Sequence, residues 1–250
     1  MNNKSIIITG ANGAIGSFFT QEYLKLGYDV FALIHKHTER IAPLQTEYPH
    51  KLIVKKCDLT DYDQVQVSLQ DFQTKYDYLP GKLIHTSALR SSDFKPLVES
   101  NPQQWSSIIE MNILSAYNLL RNILPFYQKN KAGRIILIGS NISRTGLKNG
   151  SAYAVSKGAL PNLARTLAQE NGPDNIMINV VSPGPVNADQ SHFSQEYRKF
   201  RESYFQKELR ETPLQKLVEP LDIFKTCDFL LSKENRMITG EEIFITGGKL

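Results

Sequence analysis

Residues 5–16 read Ser5-Ile6-Ile7-Ile8-Thr9-Gly10-Ala11-Asn12-Gly13-Ala14-Ile15-Gly16, an apolar run that turns through three glycines into a helical pattern reaching Leu24. The run predicts a buried strand. Glycines at the turn permit a tight bend and let backbone N–H groups approach a pyrophosphate at a helix N-terminus. The same residues would also make an ordinary strand-to-helix loop, but their place directly after the first strand favours the dinucleotide reading.

Outward from this turn, short apolar runs recur at Val30–Ile34, Leu52–Val54, Leu83–Ile84, Ile135–Ile138, Ile176–Val181 and Ile243–Ile245. Near-continuous apolar strands belong to parallel sheets covered on both faces. Helical periodicity fills the gaps. Tyr62, Val65, Leu69, Phe72 and Tyr76 share one face, and a longer stripe runs from Trp105 through Ile108, Ile109, Ile113, Ala116, Leu119 and Leu120. Asn101-Pro102 marks its start. Leu160, Leu163 and Leu167 mark another helix. The alternation predicts an α/β, doubly wound fold in one domain, residues 1–250, with ligands at the carboxyl ends of the strands.

Composition narrows the function. A net charge of +4 without a dense Lys/Arg block fits a solvated surface or an anionic small ligand better than nucleic acid. Two distant cysteines, Cys57 and Cys227, point to a reducing compartment, and the five histidines show no metal-ligand spacing. No run is long and apolar enough for a membrane span or a signal core, so a cytoplasmic location without membrane partners is expected.

The second strand ends at Ile34 and continues His35-Lys36-His37. An acidic residue here would meet a free ribose 2′-hydroxyl, whereas a cation suits a 2′-phosphate. Lys36, with His35, therefore favours NADP(H), with NAD(H) as the alternative.

Strand Ile135–Ile138 runs into Gly139-Ser140, and thirteen residues after Ser140 comes Tyr153-Ala154-Val155-Ser156-Lys157. One helical turn apart, Tyr153 and Lys157 share a face. A phenol titrates near pH ~10 and is a poor base at neutral pH. An adjacent ammonium lowers that value by roughly one to three units, poising a proton donor worth on the order of 10²–10⁴ in rate. Ser140, at a strand's carboxyl end, is placed to hold a substrate oxygen.

With these residues in hand, the chain resembles the short-chain dehydrogenase/reductase family, in its single-domain branch and the ketoacyl-carrier-protein reductase-like subgroup. The resemblance spans essentially the whole chain. It implies a Rossmann fold with a mainly parallel seven-stranded sheet between helix layers, and a homotetramer or homodimer. Within Trp105-Ser106-Ser107-Ile108-Ile109-Glu110-Met111-Asn112, Asn112 matches the fourth catalytic residue beside Ser140, Tyr153 and Lys157. In the family that asparagine kinks its helix and holds a water in a relay through the lysine.

Cys57-Asp58-Leu59 resembles the segment packed on adenine, and Asn179 through Val186 the strand and turn holding the nicotinamide. Thr212-Pro213-Leu214, Phe229 through Ser232, and Ile238-Thr239-Gly240 through Gly248 follow the same subgroup's pattern. The cofactor contacts implied are Gly10, Asn12, Gly13, Ile15, Gly16, His35, Lys36, Asp58, Leu59, Ser87, Ala88, Tyr153, Lys157, Pro183, Gly184 and Val186.

Three departures stand out. Ala14 takes the place of a glycine, and the Gly10-Gly13-Gly16 spacing matches the larger, sugar-nucleotide-modifying branch. Thr86-Ser87-Ala88-Leu89 replaces Asn-Asn-Ala-Gly. Ala188 replaces a threonine that commonly bonds the carboxamide. By resemblance, residues 187–211 form a substrate flap. Phe193, Tyr197, Phe200 and Tyr204 share a helical face there, forming an aromatic wall or docking the flap. Arg198, Lys199, Arg201, Lys207 and Arg210 are solvated charges or a greeting for an acidic carrier or phosphorylated substrate.

The expectation is an NAD(P)-dependent oxidoreductase that reduces a ketone, either a small-molecule carbonyl compound or a carrier-bound acyl group, with Tyr153 as proton donor. A dinucleotide sensor with vestigial catalysis is the first alternative, motivated by Thr86–Leu89 and Ala188. A sugar-nucleotide-modifying enzyme, resting on Gly13 alone, is the second.

Overall fold

Each of the seven apolar runs forms a strand. The computed structural model describes residues 4–90, 94–189 and 195–249, with the side chains of Glu196, Tyr197 and Phe200 left out. The elements are β1 (Ser5–Thr9), α1 (Ala14–Lys25), β2 (Asp29–Ile34), α2 (Ile41–Glu47), β3 (Leu52–Lys56), α3 (Tyr62–Tyr76), β4 (Lys82–His85), α4 (Pro102–Ile109), α5 (Ser115–Asn130), β5 (Gly133–Ile138), α6 (Ile142–Thr145), α7 (Ser151–Asn171), β6 (Ile176–Pro183), α8 (Gln195–Glu211), α9 (Pro220–Leu231) and β7 (Glu242–Ile245). The strands make one seven-stranded sheet in the order β3-β2-β1-β4-β5-β6-β7. Every pairing is parallel, for example Ile7 opposite Phe31 and Leu83.

The order reverses between β1 and β4. That reversal opens a crevice at the carboxyl edge, and the glycine turn after β1 sits in it. Alternation across the pleat divides the core. Ile6 and Ile8 pack with Phe19, Tyr23 and Phe224 on one face, while Ile7 packs with Phe72, Leu119 and Tyr127 on the other. Both faces are dry because helices cover both, and each such side chain contributes roughly 1.5–3 kcal/mol on burial.

The stripe from Trp105 to Leu120 departs from the single helix its periodicity predicts, at the place where the family resemblance implies a kink. It is not one continuous α-helix: α4 and α5 are separated by a π-helical turn over Glu110–Leu114. The extra residue in that turn rotates Asn112 inward, where only 2% of its surface is exposed. Among the described residues, no helix is long and apolar enough to cross a membrane.

Candidate active site

The glycine turn is shaped by close backbone approach. Gly10 has φ +64°, and a Cβ there would lie 2.8 Å from Thr86 Oγ1 and 2.9 Å from the Ser87 nitrogen. At Gly16 a Cβ would sit 2.2 Å from the Gly10 carbonyl oxygen, so only glycine lets α1 start this near β1. Gly13 is the N-cap of α1, with no side-chain cap and no acidic residue in the first turn. Neither a capping side chain nor a first-turn carboxylate offsets the positive end of the helix dipole, as suits an anion site. Ala14 is simply the first helical residue and is half-buried. Ile15 packs against the core cluster beneath the turn.

Thr86 explains its own departure from the family pattern. Its hydroxyl donates to the Thr9 carbonyl at 2.7 Å, pinning the loop after β4 to the glycine turn. Ser87 and Ala88 follow along the crevice, half-buried and exposed respectively.

Beyond β2, the rim is polar and largely exposed. His35 Nε2 lies 3.6 Å from Asp58 Oδ2, so two residues assigned to the adenosine end face each other. Asp58 Oδ1 accepts from Thr60 N and Thr60 Oγ1 at 2.9 and 2.7 Å. Partial burial raises the Asp58 carboxyl, but the two Thr60 bonds and the nearby His35 outweigh it and hold it below its ordinary value. Leu59 is buried, its carbonyl accepting from the Asn118 amide at 3.0 Å. Lys36 is exposed and has no hydrogen bond or ion pair among the described residues.

Asn12 is occupied differently from expectation. Its Oδ1 accepts from the backbone N–H groups of Arg40 and Ile41 at 2.9 and 3.1 Å, and its Nδ2 donates to Glu39. Its side chain ties the turn to the start of α2, which leaves its backbone to face a phosphate.

The polar centre lies further along the edge. Asn112 Oδ1 accepts from Leu89 N at 2.6 Å, while Nδ2 donates to Leu89 O and to Ser156 Oγ, each at 2.9 Å. Ser156 Oγ in turn donates to the Tyr153 carbonyl at 2.8 Å. The π-turn is therefore bonded to α7 at the residue before Lys157. Lys157 is 3% exposed and donates from Nζ to the Ile138 carbonyl at 2.7 Å, two residues before Ser140. Burial, then the positive charge of Arg90, bring its ammonium down to about 7. Its Nζ lies 5.8 Å from the Tyr153 ring centre.

Ser140 is half-buried at the end of β5, its Oγ 3.5 Å from Asn141 Oδ1 and from Ile142 N. The structure thus ties Asn112 through Ser156 to the turn of α7 that carries Tyr153 and Lys157, with Ser140 at the strand end Lys157 touches. Burial therefore works against the ammonium form of Lys157. This qualifies the simple picture of a permanent ammonium beside the phenol.

The end of β6 and the loop after it supply Pro183, Gly184 and Val186. Gly184 N donates to Ile245 O at 2.8 Å, and Val186 forms a bridge with Val218. Ala188 packs against the core cluster. From α8, Arg201 donates to the Val186 carbonyl at 3.1 Å and stacks over Phe205. Lys249 bridges Glu208 and Glu211, fastening the chain's end to the same helix. Of the four aromatics expected to make a wall, Phe193 and the side chains of Tyr197 and Phe200 lie outside the described residues. Tyr204 is 41% exposed.

Sequence reasoning passed over His85. It is 2% exposed at the end of β4, with Nδ1 2.8 Å from Thr9 Oγ1 and Nε2 3.4 Å from Ser115 Oγ. Burial, with Lys157's charge, brings its imidazole down to about 3, so it is neutral at physiological pH. Ser115 also donates to the Met111 carbonyl, linking His85 to the π-turn beside Asn112. A polar residue closing an apolar strand was the available signal. Arg40 and Asp189, which pair with each other, carried none.

Residues 10–249 match a family model described as enoyl-(acyl carrier protein) reductase. The chain is 29% identical over 248 residues to an uncharacterized oxidoreductase, YmfI, of Bacillus subtilis, covering 98% of each chain. It is 26% identical over 250 residues to the 3-oxoacyl-[acyl-carrier-protein] reductase FabG of Buchnera aphidicola, covering 99% of this chain and 98% of that one. Among solved structures, ElxO with NADP bound superposes with a TM-score of 0.86 at 26% identity, covering 98% of both chains.

Proposed function

Because this chain belongs to the short-chain dehydrogenase/reductase family, an oxidoreductase family acting on carbonyl and alcohol groups, we propose that it reduces a ketone to an alcohol with NADPH, NADH serving less well. The carrying observation is that α7 sets the buried Lys157 on the Ile138 carbonyl, two residues before Ser140, while Asn112 is tied to the same helix through Ser156, whose hydroxyl bonds the Tyr153 carbonyl. We assign the whole chain to one catalytic domain with residues 187–211 as its substrate flap, working in the cytoplasm as a homodimer or homotetramer.

A nicotinamide dinucleotide fits the crevice: Gly10 and Gly16 leave a cradle that a Cβ would fill, above an uncapped helix start. When bound, it supplies the hydride. Its pyrophosphate would be held by the backbone of Gly10, Asn12, Gly13, Ile15 and Gly16. The adenosine end would be held by Asp58 and Leu59, with Lys36 and His35 toward a 2′-phosphate. Ser87, Ala88, Pro183, Gly184 and Val186 would flank the nicotinamide half.

The chain's own residues do the rest. Ser140 and Tyr153 donate hydrogen bonds to the carbonyl oxygen, and Tyr153 Oη releases its proton to that oxygen as the alcohol forms. Lys157 would hold the ribose. Negative charge brought near its Nζ raises its proton affinity from about 7. The charged form then stabilises the phenolate left on Tyr153, and Asn112 holds the relay that reprotonates it. The names of the acyl-carrier-protein reductases among the relatives favour a β-keto thioester as substrate.

The test is a panel of ketones and β-ketoacyl thioesters, followed by the absorbance of reduced nicotinamide. Oxidation of NADPH is expected with at least one thioester. NADH should be poorer by about tenfold in kcat/KM, the factor one charge-assisted hydrogen bond supplies. NADPH binding without oxidation by any carbonyl compound would leave the sensor reading in its place.

A further inference from the structure

One ion pair joins loops that start far apart on the sheet. Arg40 Nε donates to Asp189 Oδ2 at 2.9 Å, and Arg40 Nη2 lies 2.8 Å from the same oxygen. Arg40 follows β2 and Asp189 follows β6, with β1, β4 and β5 between those strands. Four strand spacings amount to roughly 19 Å, so the two loops lean inward to meet over the carboxyl edge.

Both ends are anchored. Asn12, a residue of the glycine turn, holds the backbone of Arg40 and Ile41. On the far side Asn187 N donates to Val218 O at 2.8 Å, Asn187 Nδ2 donates to Glu219 at 2.9 Å, and Ala188 packs on the core. The Arg40 side chain is 19% exposed and that of Asp189 50%. This is not a chance meeting of two long, solvated side chains. The pair spans the crevice beside the turn where order reverses, and Asp189 lies at the entry to the segment that leads to α8.

We propose that Arg40 and Asp189 form a clasp that retains the dinucleotide, tying the adenosine-side loop to the substrate-side loop across the crevice and slowing cofactor release. The inference rests on the reading that a dinucleotide occupies the glycine turn. Arg40 is a positioning residue in it and not the reader of the 2′-phosphate. Its charge is already met by a carboxylate, whereas Lys36, on the same rim, meets none among the described residues. The clasp therefore acts alike on NADPH and NADH.

Stopped-flow displacement of each reduced cofactor from the full-length protein tests this, using wild type, Arg40→Gln, Asp189→Asn and the swapped pair Arg40→Asp/Asp189→Arg. Either single variant should release both cofactors about three- to fivefold faster, the factor an ion pair of this exposure supplies. The swapped pair should return release toward the wild-type rate. Unchanged rates overturn the clasp. So does a loss confined to NADPH, which would make Arg40 a phosphate ligand, or a swapped pair no better than the single variants. Should the wild type bind neither cofactor, the dinucleotide reading fails first and takes the clasp with it; normal wild-type binding with unaltered variants removes the clasp alone.

Discussion

The centre around Asn112 and the rim around Arg40 lie on the same edge of one sheet and are built in opposite ways. In the centre, Asn112, Ser156, Lys157 and His85 are all at most 3% exposed, and each has a partner. Water cannot replace a lost bond there, so breaking one leaves a buried group unpaired at about 1–3 kcal/mol. At the rim, His35, Lys36, Glu39 and Asp189 are exposed, and each ion pair contributes about 0–1 kcal/mol. On the proposed function, chemistry sits where geometry is costly to disturb, and cofactor choice and retention sit where single substitutions are cheap.

The contrast can be broken from either side. The largest effect belongs to Tyr153→Phe, which keeps the ring and removes the proton. Turnover should fall on the order of 10²–10⁴-fold while NADPH affinity, measured by calorimetry, stays near wild type. Undiminished turnover would show that the buried centre is not where the proton comes from.

His85 sharpens the comparison next. Its imidazole sits at about 3 when folded against 6.5 when exposed, so between those values the unfolded chain binds a proton that the folded chain refuses. Stability is therefore fully present above pH 6.5 and is lost as pH falls toward 3, by up to about 1.4 kcal/mol per pH unit. Urea unfolding across that range should show a shallower acid slope in His85→Val than in wild type, even though the variant is less stable at pH 7. Equal slopes would mean His85 is solvated in solution. The clasp variants stand at the small end, a few-fold in a release rate.

The same contrast decides what could be read from the chain. Strands such as Ile6–Ile8 were legible because burial on both faces writes a continuous apolar run. Tyr153 and Lys157 were legible because one helical turn joins them. The π-turn was not legible in the periodicity, since Glu110–Leu114 keeps the same apolar stripe whether the helix is regular or widened; only the family resemblance implied a kink at Asn112. His85 reads as one polar residue at a strand end, and its partners, Thr9 and Ser115, come from other elements. Arg40 and Asp189 are 149 positions apart. Nothing local in either loop records that they meet, because the sheet order, not the sequence around them, brings them together.

Hydride delivery to a carbonyl carbon lies beneath every role assigned above, and isotope transfer measures it directly. Either C4-deuterated diastereomer of NADPH is supplied with the best ketone of the panel, and the alcohol is examined by mass spectrometry. With one of the two, deuterium is expected on the carbinol carbon, in wild type at full turnover and in Tyr153→Phe only at its residual rate. Alcohol formed without deuterium from either diastereomer would contradict transfer from the cofactor, and with it the placement of the reaction at Tyr153.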